Sequence, residues 1–242
     1  MSIKKISILI LIFVLIVACA VCYIKFTSIY AGNEVLPLRG VKIVIDPGHG
    51  GLDPGKVGIN GENESVLNLK IALKLKQTLE IMGAEVVMTR QSDTGLLEEG
   101  ESWDKDTDMR LRHEIIQNSG ADIMVSVHLD SHMPNRSVSG TGVLYYGESE
   151  YSEQLAQSIS DRLAVLDVDG KMREIKERDN LLILKNNPMP CVIVECGFIS
   201  NVEEEKLLQK DSHHAKLALA IARGIADFIY ENGYFKNSLS VL

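Results

Sequence analysis

The chain has 242 residues, of which 45% are hydrophobic and 24% are charged, and its formal net charge is −8. Acidic and basic residues are mixed along the sequence without a basic stripe, which argues against nucleic acid as a partner. Setting aside an atypical N-terminal stretch leaves about 200 residues, enough for one sizeable domain.

A signal or membrane-spanning segment is predicted at residues 1–25. An almost unbroken apolar run, residues 6–24, follows Lys4 and Lys5. A run of about 18 or more apolar residues can span a bilayer, and flanking lysines favour a cytoplasmic N-terminus. A buried core helix is the weaker alternative. A retained anchor, a cleaved signal peptide and a lipoprotein signal remain open, and each places the rest of the chain outside the cytoplasmic membrane.

Residues 26–40 contain Thr, Ser, Gly, Asn and Pro, which predicts a linker, so the folded domain is expected at residues 41–235. Hydrophobic periodicity predicts strands at 42–46, 85–88, 122–127, 140–146, 181–184 and 191–195, and helices at 64–82, 108–118, 150–165, after Asn201 and at 212–231. This alternation favours an α/β fold with a mostly parallel or mixed sheet covered by helices.

Three connections are expected on the surface. Residues 47–63 are rich in glycine, residues 91–107 are polar and acidic without periodicity, and residues 167–179 are charged. The cysteines Cys191 and Cys196 flank a predicted strand end. In an extended strand they lie about 16 Å apart, too far for a disulfide. They are expected to be buried as small hydrophobes.

Side chains able to bind a metal follow the ends of three predicted strands. His49 lies in the glycine-rich turn after the first strand, His128 ends the third, and Glu195 ends the last. Carboxyl ends of strands in open α/β sheets form the ligand-binding edge. A catalytic zinc takes three protein ligands of the histidine and carboxylate type and keeps one position for water. The pattern therefore predicts a metal site.

The sequence allows more than one role for the carboxylates near these histidines. Glu195 closes an apolar run, so either a bound cation or a proton-transfer role with a raised pKa would account for its burial. Asp46 is expected either to orient the His49 imidazole or to cap a turn. Glu62 and Glu64 both suit a helix N-terminus. His132 is a reserve ligand.

Together these segments resemble the zinc-dependent N-acetylmuramoyl-L-alanine amidases of bacterial cell walls. The matching segments are Asp46-Pro-Gly-His49-Gly-Gly51, Glu64-Ser-Val-Leu-Asn-Leu69, Met88-Thr-Arg90-Gln-Ser-Asp93, Ser126-Val-His128 and Glu195-Cys-Gly-Phe-Ile-Ser-Asn201. Aligning Asn68 and Leu69 with the family's asparagine-leucine pair selects Glu64 over Glu62 as the third ligand.

The resemblance implies a twisted sheet of about six strands, zinc bound by His49, Glu64 and His128, Glu195 as the catalytic carboxylate, and peptidoglycan as the substrate. Arg178 is expected to contact the peptide or the developing oxyanion. A short, membrane-targeted chain without wall-binding repeats is similar to sporulation-specific members of this family, which prepare muramic-δ-lactam in the spore cortex.

Two departures from the family pattern stand out. Residues 97–107 are longer than the usual connection, and Leu129-Asp130 replaces the more frequent alanine-asparagine after His128. The first, with residues 167–179, is a candidate contact surface for an activating protein partner. Two alternative functions remain: a zinc peptidase or carboxypeptidase of similar fold, and a catalytically weak wall-binding protein.

Overall fold

The computed structural model describes residues 16–17, 19–21, 36–97, 103–166 and 173–233. Most of the predicted signal segment and of the predicted linker therefore lies outside the described residues. No helix within the described ranges is both long and apolar enough to cross a membrane. The chain divides after Leu36, and the unit that begins at Pro37 carries the sheet.

In the described part of this unit, the strands are β1 Lys42–Pro47, β2 Glu85–Met88, β3 Ile123–Asp130, β4 Gly142–Tyr145, β5 Lys176–Glu177 and β6 Cys191–Phe198. The helices are α1 Glu64–Ile81, α2 Lys105–Asn118, α3 Glu150–Leu163, α4 Val202–Leu208 and α5 Asp211–Asn232, with 3-10 turns at Ala164–Leu166 and Leu182–Leu184. The sheet order is β2-β1-β3-β6-β4-β5. Only the β4–β6 pair of this sheet is antiparallel, which confirms the mixed six-stranded α/β fold.

One predicted strand was wrong. Residues 181–184 form the 3-10 turn Leu182–Leu184, in which Ile183 and Leu184 are buried while Leu182 is 42% exposed. Short apolar runs do not distinguish a strand from a helical turn, so the sequence was ambiguous here. The sixth strand is instead β5, a two-residue edge strand in the predicted charged loop. Exposed charged residues are common on edge strands, and such strands therefore lack the hydrophobic periodicity that predicts a strand.

The sheet separates two hydrophobic cores. On one face, side chains such as Ile45, Val127 and Val194 join a large core with residues of α1, α3 and α5. On the other face, Met124 and Ile193 pack with residues of α2 and of the 3-10 turn. Alternate residues of a strand point to opposite faces, so two-sided burial explains the continuous apolar runs of β1, β3 and β6.

The strand register sets the positions of the polar residues at the carboxyl edge of the sheet. Asp46 of β1 pairs with Ser126 of β3, and His128 of β3 pairs with Glu195 of β6. Residues directly opposite in register share a face, so these four side chains lie on the α2 side of the sheet. The cysteines Cys191 and Cys196 are buried and free, as expected.

Candidate metal and catalytic site

Three side chains from three different elements converge at the carboxyl edge of the sheet. Oε1 of Glu64, the first residue of α1, lies 3.0 Å from Nδ1 of His128 and 3.3 Å from Nε2 of His49. One ligand atom from each of the three residues lies within 4.8 Å of the others. Glu64 is almost fully buried, at 2% exposure. The structure thus brings together the three residues expected to bind zinc.

The chemistry of this set fits a zinc ion. Ligand atoms about 2.0–2.2 Å from one shared ion lie roughly 3–4 Å from each other, and Oε1 of Glu64 lies at such distances from a ring nitrogen of each histidine. Two imidazoles and one carboxylate leave a fourth position for water or substrate. Although burial opposes ionisation, the two histidines hold the pKa of Glu64 well below its usual range. The same contact raises the pKa of His128 against the effect of its own burial.

Asp53 orients the His49 imidazole. Its Oδ2 accepts a hydrogen bond from Nδ1 of His49 at 2.8 Å, and its Oδ1 accepts one from the Gly55 amide at 3.1 Å. Burial works against the charge, but His49 lowers the pKa of the Asp53 carboxyl, which stays an acceptor. A protonated Nδ1 leaves the Nε2 lone pair of His49 free to bind a metal.

This result corrects the role expected for Asp46. Asp46 does not hold the His49 ring; it is fully buried and accepts hydrogen bonds from Thr89 at 2.7 Å, Ser126 at 2.8 Å and Arg112 at 3.0 Å. Burial raises the pKa of Asp46, but these three donors outweigh it and the pKa falls below the usual value. Asp46 therefore anchors Arg112 rather than the imidazole.

Two buried arginines fix the backbone that carries His49. Arg90 donates to the carbonyls of Pro47 and Gly48, both at 2.9 Å, and Arg112 donates to those of Pro47, at 2.8 Å, and His49. His49 has a φ of +62°, a left-handed conformation that few non-glycine residues adopt. Because the flanking carbonyls are held by guanidinium groups, this conformation is stabilised and the imidazole is preorganised.

Glycine is required where the His49 turn approaches the other two ligands. A Cβ placed on Gly48 would lie 2.2 Å from Nε2 of His128. A Cβ on Gly55 would lie 2.6 Å from Oε2 of Glu64 and 2.7 Å from Cδ2 of His49. The absence of side chains at Gly48 and Gly55 is what allows the three ligands to meet.

Glu195 lies beside the ligands without a partner for one of its oxygens. Its register partner is His128, and within the described residues no group donates a hydrogen bond to its buried Oε2. Burial raises the pKa of Glu195 to about 7, and the nearby His128 only partly offsets this. A carboxyl group whose pKa is near neutrality can accept and return a proton at working pH.

Arg178, Glu62 and His132 lie away from the cluster. The Arg178 guanidinium is exposed, and its described hydrogen bond is donated to the adjacent Glu177 carbonyl, which does not support substrate binding. Glu62 pairs with Lys70 at 2.5 Å. His132 is exposed and hydrogen bonds to Asn135 through Nδ1.

Of the two described arginines in the segment 167–179, Arg173 is the one with contacts beside the strands that carry His128 and Glu195. Its Nη2 lies 2.9 Å from Oδ2 of Asp130, and its guanidinium carbon lies 4.7 Å from the centre of the Phe198 ring. It also packs against Gly142, the residue paired with Glu195 on β4. No sequence signal distinguishes Arg173 from Arg178, because both lie in one charged segment.

A cavity of about 320 Å³ opens beside the ligands. Its polar end includes His49, His128 and Glu195. Its apolar wall is formed by Trp103, Met109, Leu144, Leu181, Leu182, Ile183 and Ile193, and Asp46, Asp53, Lys105, Asp108 and Arg112 add charged groups to the lining. Catalytic pockets of enzymes commonly combine an apolar lining with a few convergent polar groups.

Comparison with known proteins agrees with this geometry. The family model for N-acetylmuramoyl-L-alanine amidases matches residues 43–227. The germination-specific N-acetylmuramoyl-L-alanine amidase of Bacillus subtilis (strain 168) is 36% identical over 201 residues, which cover 82% of this chain and 84% of that protein. N-acetylmuramoyl-L-alanine amidase AmiA of Escherichia coli (strain K12) is 28% identical over 231 residues, covering 78% and 76% of the two chains.

A solved structure shows the same fold. The CwlD amidase of Clostridioides difficile, determined in complex with the GerS lipoprotein, superposes with a TM-score of 0.76 at 34% identity and covers 79% of this chain and 100% of that chain. The family model covers well over half of the sequence. The chain therefore belongs to the N-acetylmuramoyl-L-alanine amidase family and is an enzyme of that activity.

Proposed function

We propose that this enzyme uses zinc, held by His49, Glu64 and His128, to hydrolyse the bond between the lactyl carbonyl of N-acetylmuramic acid and L-alanine. The observation that carries the proposal is the convergence of these ligand atoms beside the unpaired Oε2 of Glu195. Zinc, when bound, supplies Lewis acidity to the scissile carbonyl and to water.

Side chains of the protein carry out the proton transfers of the reaction. Oε2 of Glu195 takes a proton from the attacking water and returns it to the L-alanine nitrogen as the amide bond breaks. The apolar wall beside Glu195 limits competing solvent and strengthens electrostatic interactions inside the cavity. Asp53 keeps the proton on Nδ1 of His49, so the ring stays a ligand and does not compete as a base.

The substrate and the relatives both support a site of action outside the cytoplasmic membrane. Peptidoglycan lies there, and the apolar run at residues 6–24 is expected to direct or anchor the chain on that side. Because one relative is described as germination-specific, we extend the proposal to the spore cortex. Removal of the peptide stem there is the step that precedes formation of muramic-δ-lactam.

A protein partner is also part of the proposal. The CwlD amidase of Clostridioides difficile was solved with the GerS lipoprotein. We expect an extracytoplasmic partner of comparable type for this chain, in contact with the segments at 97–107 and 167–179, of which residues 98–102 and 167–172 lie outside the described ranges. Such a partner would raise the population of the zinc-loaded state by binding it preferentially.

Mass spectrometry of digested peptidoglycan tests the reaction. The full chain in detergent, loaded with zinc, is expected to release peptides that begin with L-alanine and to leave glycan strands without stems. Free stem peptides are expected to remain uncut. Cleavage within free stems would instead indicate a peptidase, and zinc binding without any release would indicate a wall-binding protein. His128→Ala serves as the control that lacks a ligand.

A further inference from the structure

Trp103 is the single tryptophan of the chain, and it lies between two cavities. One is the catalytic cavity with His49 and Glu195. The other, of about 310 Å³, is lined by Trp103 together with Gly51, Leu52, Asp93, Thr94, Gly95 and Leu97. Because the indole lines both, a substrate longer than the scissile unit would pass Trp103 on its way from one cavity to the other.

Two large apolar side chains on this side of the catalytic cavity are exposed to solvent. Trp103 is 39% exposed and Leu52 is 74% exposed. Large apolar side chains left partly open at the mouth of a catalytic cavity mark a binding surface. Tryptophan is also the residue type that most often dominates binding energy at such surfaces.

The second cavity combines apolar surfaces with neutral and acidic polar groups. Asp93 and Thr94 lie on its rim, and no lysine or arginine is among its described lining residues. Lys105 lines the catalytic cavity instead. A peptide stem that carries carboxylates would be repelled by Asp93, whereas the catalytic cavity offers Lys105 and Arg112 beside its own acidic residues. A sugar ring, with an apolar face and a rim of hydroxyl and acetamido groups, matches the second cavity.

We propose that Trp103 is a specificity-determining residue that stacks on a sugar of the glycan strand, one or more units away from the muramic acid whose stem is removed. The inference rests on the proposed amidase function and adds the direction in which the glycan leaves the catalytic cavity. The apolar indole face covers the sugar ring, while Asp93 and Thr94 accept or exchange hydrogen bonds with its hydroxyl groups.

Because the chain has one tryptophan, its fluorescence reports on the surroundings of Trp103, where the two cavities meet. The full-length Glu195→Gln chain in detergent is titrated with a four-sugar glycan bearing one stem, with a one-sugar muramyl peptide and with the free stem peptide, and calorimetry verifies binding. We expect a fluorescence change with the four-sugar ligand that clearly exceeds the change with the one-sugar ligand, and none with the free peptide. The proposal would be overturned if the four-sugar ligand binds without changing the fluorescence. It would also be overturned if both sugar ligands change the fluorescence equally, or if the free peptide changes it.

Kinetics separate binding from a structural role. Trp103→Ala is expected to raise KM about 5- to 10-fold more for the four-sugar substrate than for the one-sugar substrate, since the stacking on the distant sugar is made equally in the ground and transition states. Trp103→Phe should recover most of the loss, and Tyr230→Ala, an exposed aromatic residue on α5, should cause none. Equal effects on both substrates would overturn the inference, while wild-type amide hydrolysis, measured in parallel, tests the proposed function separately.

Discussion

Nδ1 of His49 and Oδ2 of Asp53 form a 2.8 Å hydrogen bond within a single turn of the glycine-rich segment. The pair ties the orientation of a proposed metal ligand to a carboxylate that is only four residues away and that is not itself one of the three proposed ligands. Partners of this kind commonly change metal affinity about 10- to 100-fold.

Asp53→Ala is therefore expected to weaken zinc binding by about 10- to 100-fold, because the His49 ring loses the group that fixes its tautomer and rotation. Competition with a chelating dye measures the affinity. Glu62→Ala is the matched control, since Glu62 belongs to the same segment but pairs with Lys70 away from the histidines. Equal affinities in wild type and Asp53→Ala would show that the hydrogen bond does not orient the ligand.

Glu195→Gln keeps the shape of the side chain but removes the base. We expect zinc content to stay at the wild-type level, while turnover of peptidoglycan falls by about 100-fold or more. Metal analysis and product release from the same protein preparation measure the two quantities. Loss of zinc would make Glu195 a ligand, and near-normal turnover would exclude it as the base.

The same substitution should change the pH dependence of stability in the metal-free protein. The pKa of Glu195 is raised by burial from 4.5 to about 7, so the folded state holds this proton more tightly than the unfolded state. The contribution of Glu195 to stability is therefore greatest below the unfolded pKa and declines as pH rises from about 4.5 to 7.

Glu195→Gln does not titrate and should lack this decline. At pH 8 we expect metal-free Glu195→Gln to exceed metal-free wild type in unfolding free energy by about 1–3 kcal/mol, with the difference vanishing near pH 4. Urea unfolding at both pH values measures it. A difference of equal size at pH 4 and pH 8 would mean that ionisation is not the cause.

Asp46→Asn removes the charge that holds Arg112. Breaking a buried pair by removing one partner costs about 3–5 kcal/mol, and here Arg112 also supports the His49 backbone. Urea unfolding at pH 7 is expected to show this loss together with weaker zinc binding. Asp227→Asn, which removes a partly exposed partner of Arg162, should cost at most about 1 kcal/mol.

The pKa of Asp46 also predicts at which acidic pH its interaction with Arg112 stops stabilising the fold. Its folded pKa lies below the unfolded value of 3.8, so its stabilising contribution is present above that value and disappears as pH falls through the folded pKa. In acid unfolding of the two proteins, the gap between wild type and Asp46→Asn should therefore close only well below pH 4.

Gly48→Ala tests the close approach of the His49 turn to His128. The new methyl group would lie within 2.2 Å of the imidazole, so His128 must move and zinc affinity should fall by at least about 10-fold. Gly95→Ala is the control, because its nearest neighbour would lie 3.5 Å away, at an ordinary contact distance. Chelator competition compares both variants, and unchanged affinity in Gly48→Ala would refute the steric argument.

The amino-acid sequence by itself determined the strands that carry the site and the family to which the chain belongs. Runs such as those of β1, β3 and β6 are apolar because both faces of the sheet are covered, and this signal is local. The order of His49, Glu64, His128 and Glu195 along the chain is likewise readable, because each lies at or near a recognisable strand end or helix start.

Only the tertiary structure decided which partners these residues take. Asp53 rather than Asp46 holds the His49 ring, and Arg173 rather than Arg178 lies beside the site. In both cases residues of one type lie in one short segment, and the choice depends on contacts with residues tens of positions away, such as those of Asp46 with Arg112 and of Arg173 with Asp130. Periodicity carries no information about such contacts, because they are fixed by how α2, β4 and the connections pack against the carboxyl edge of the sheet.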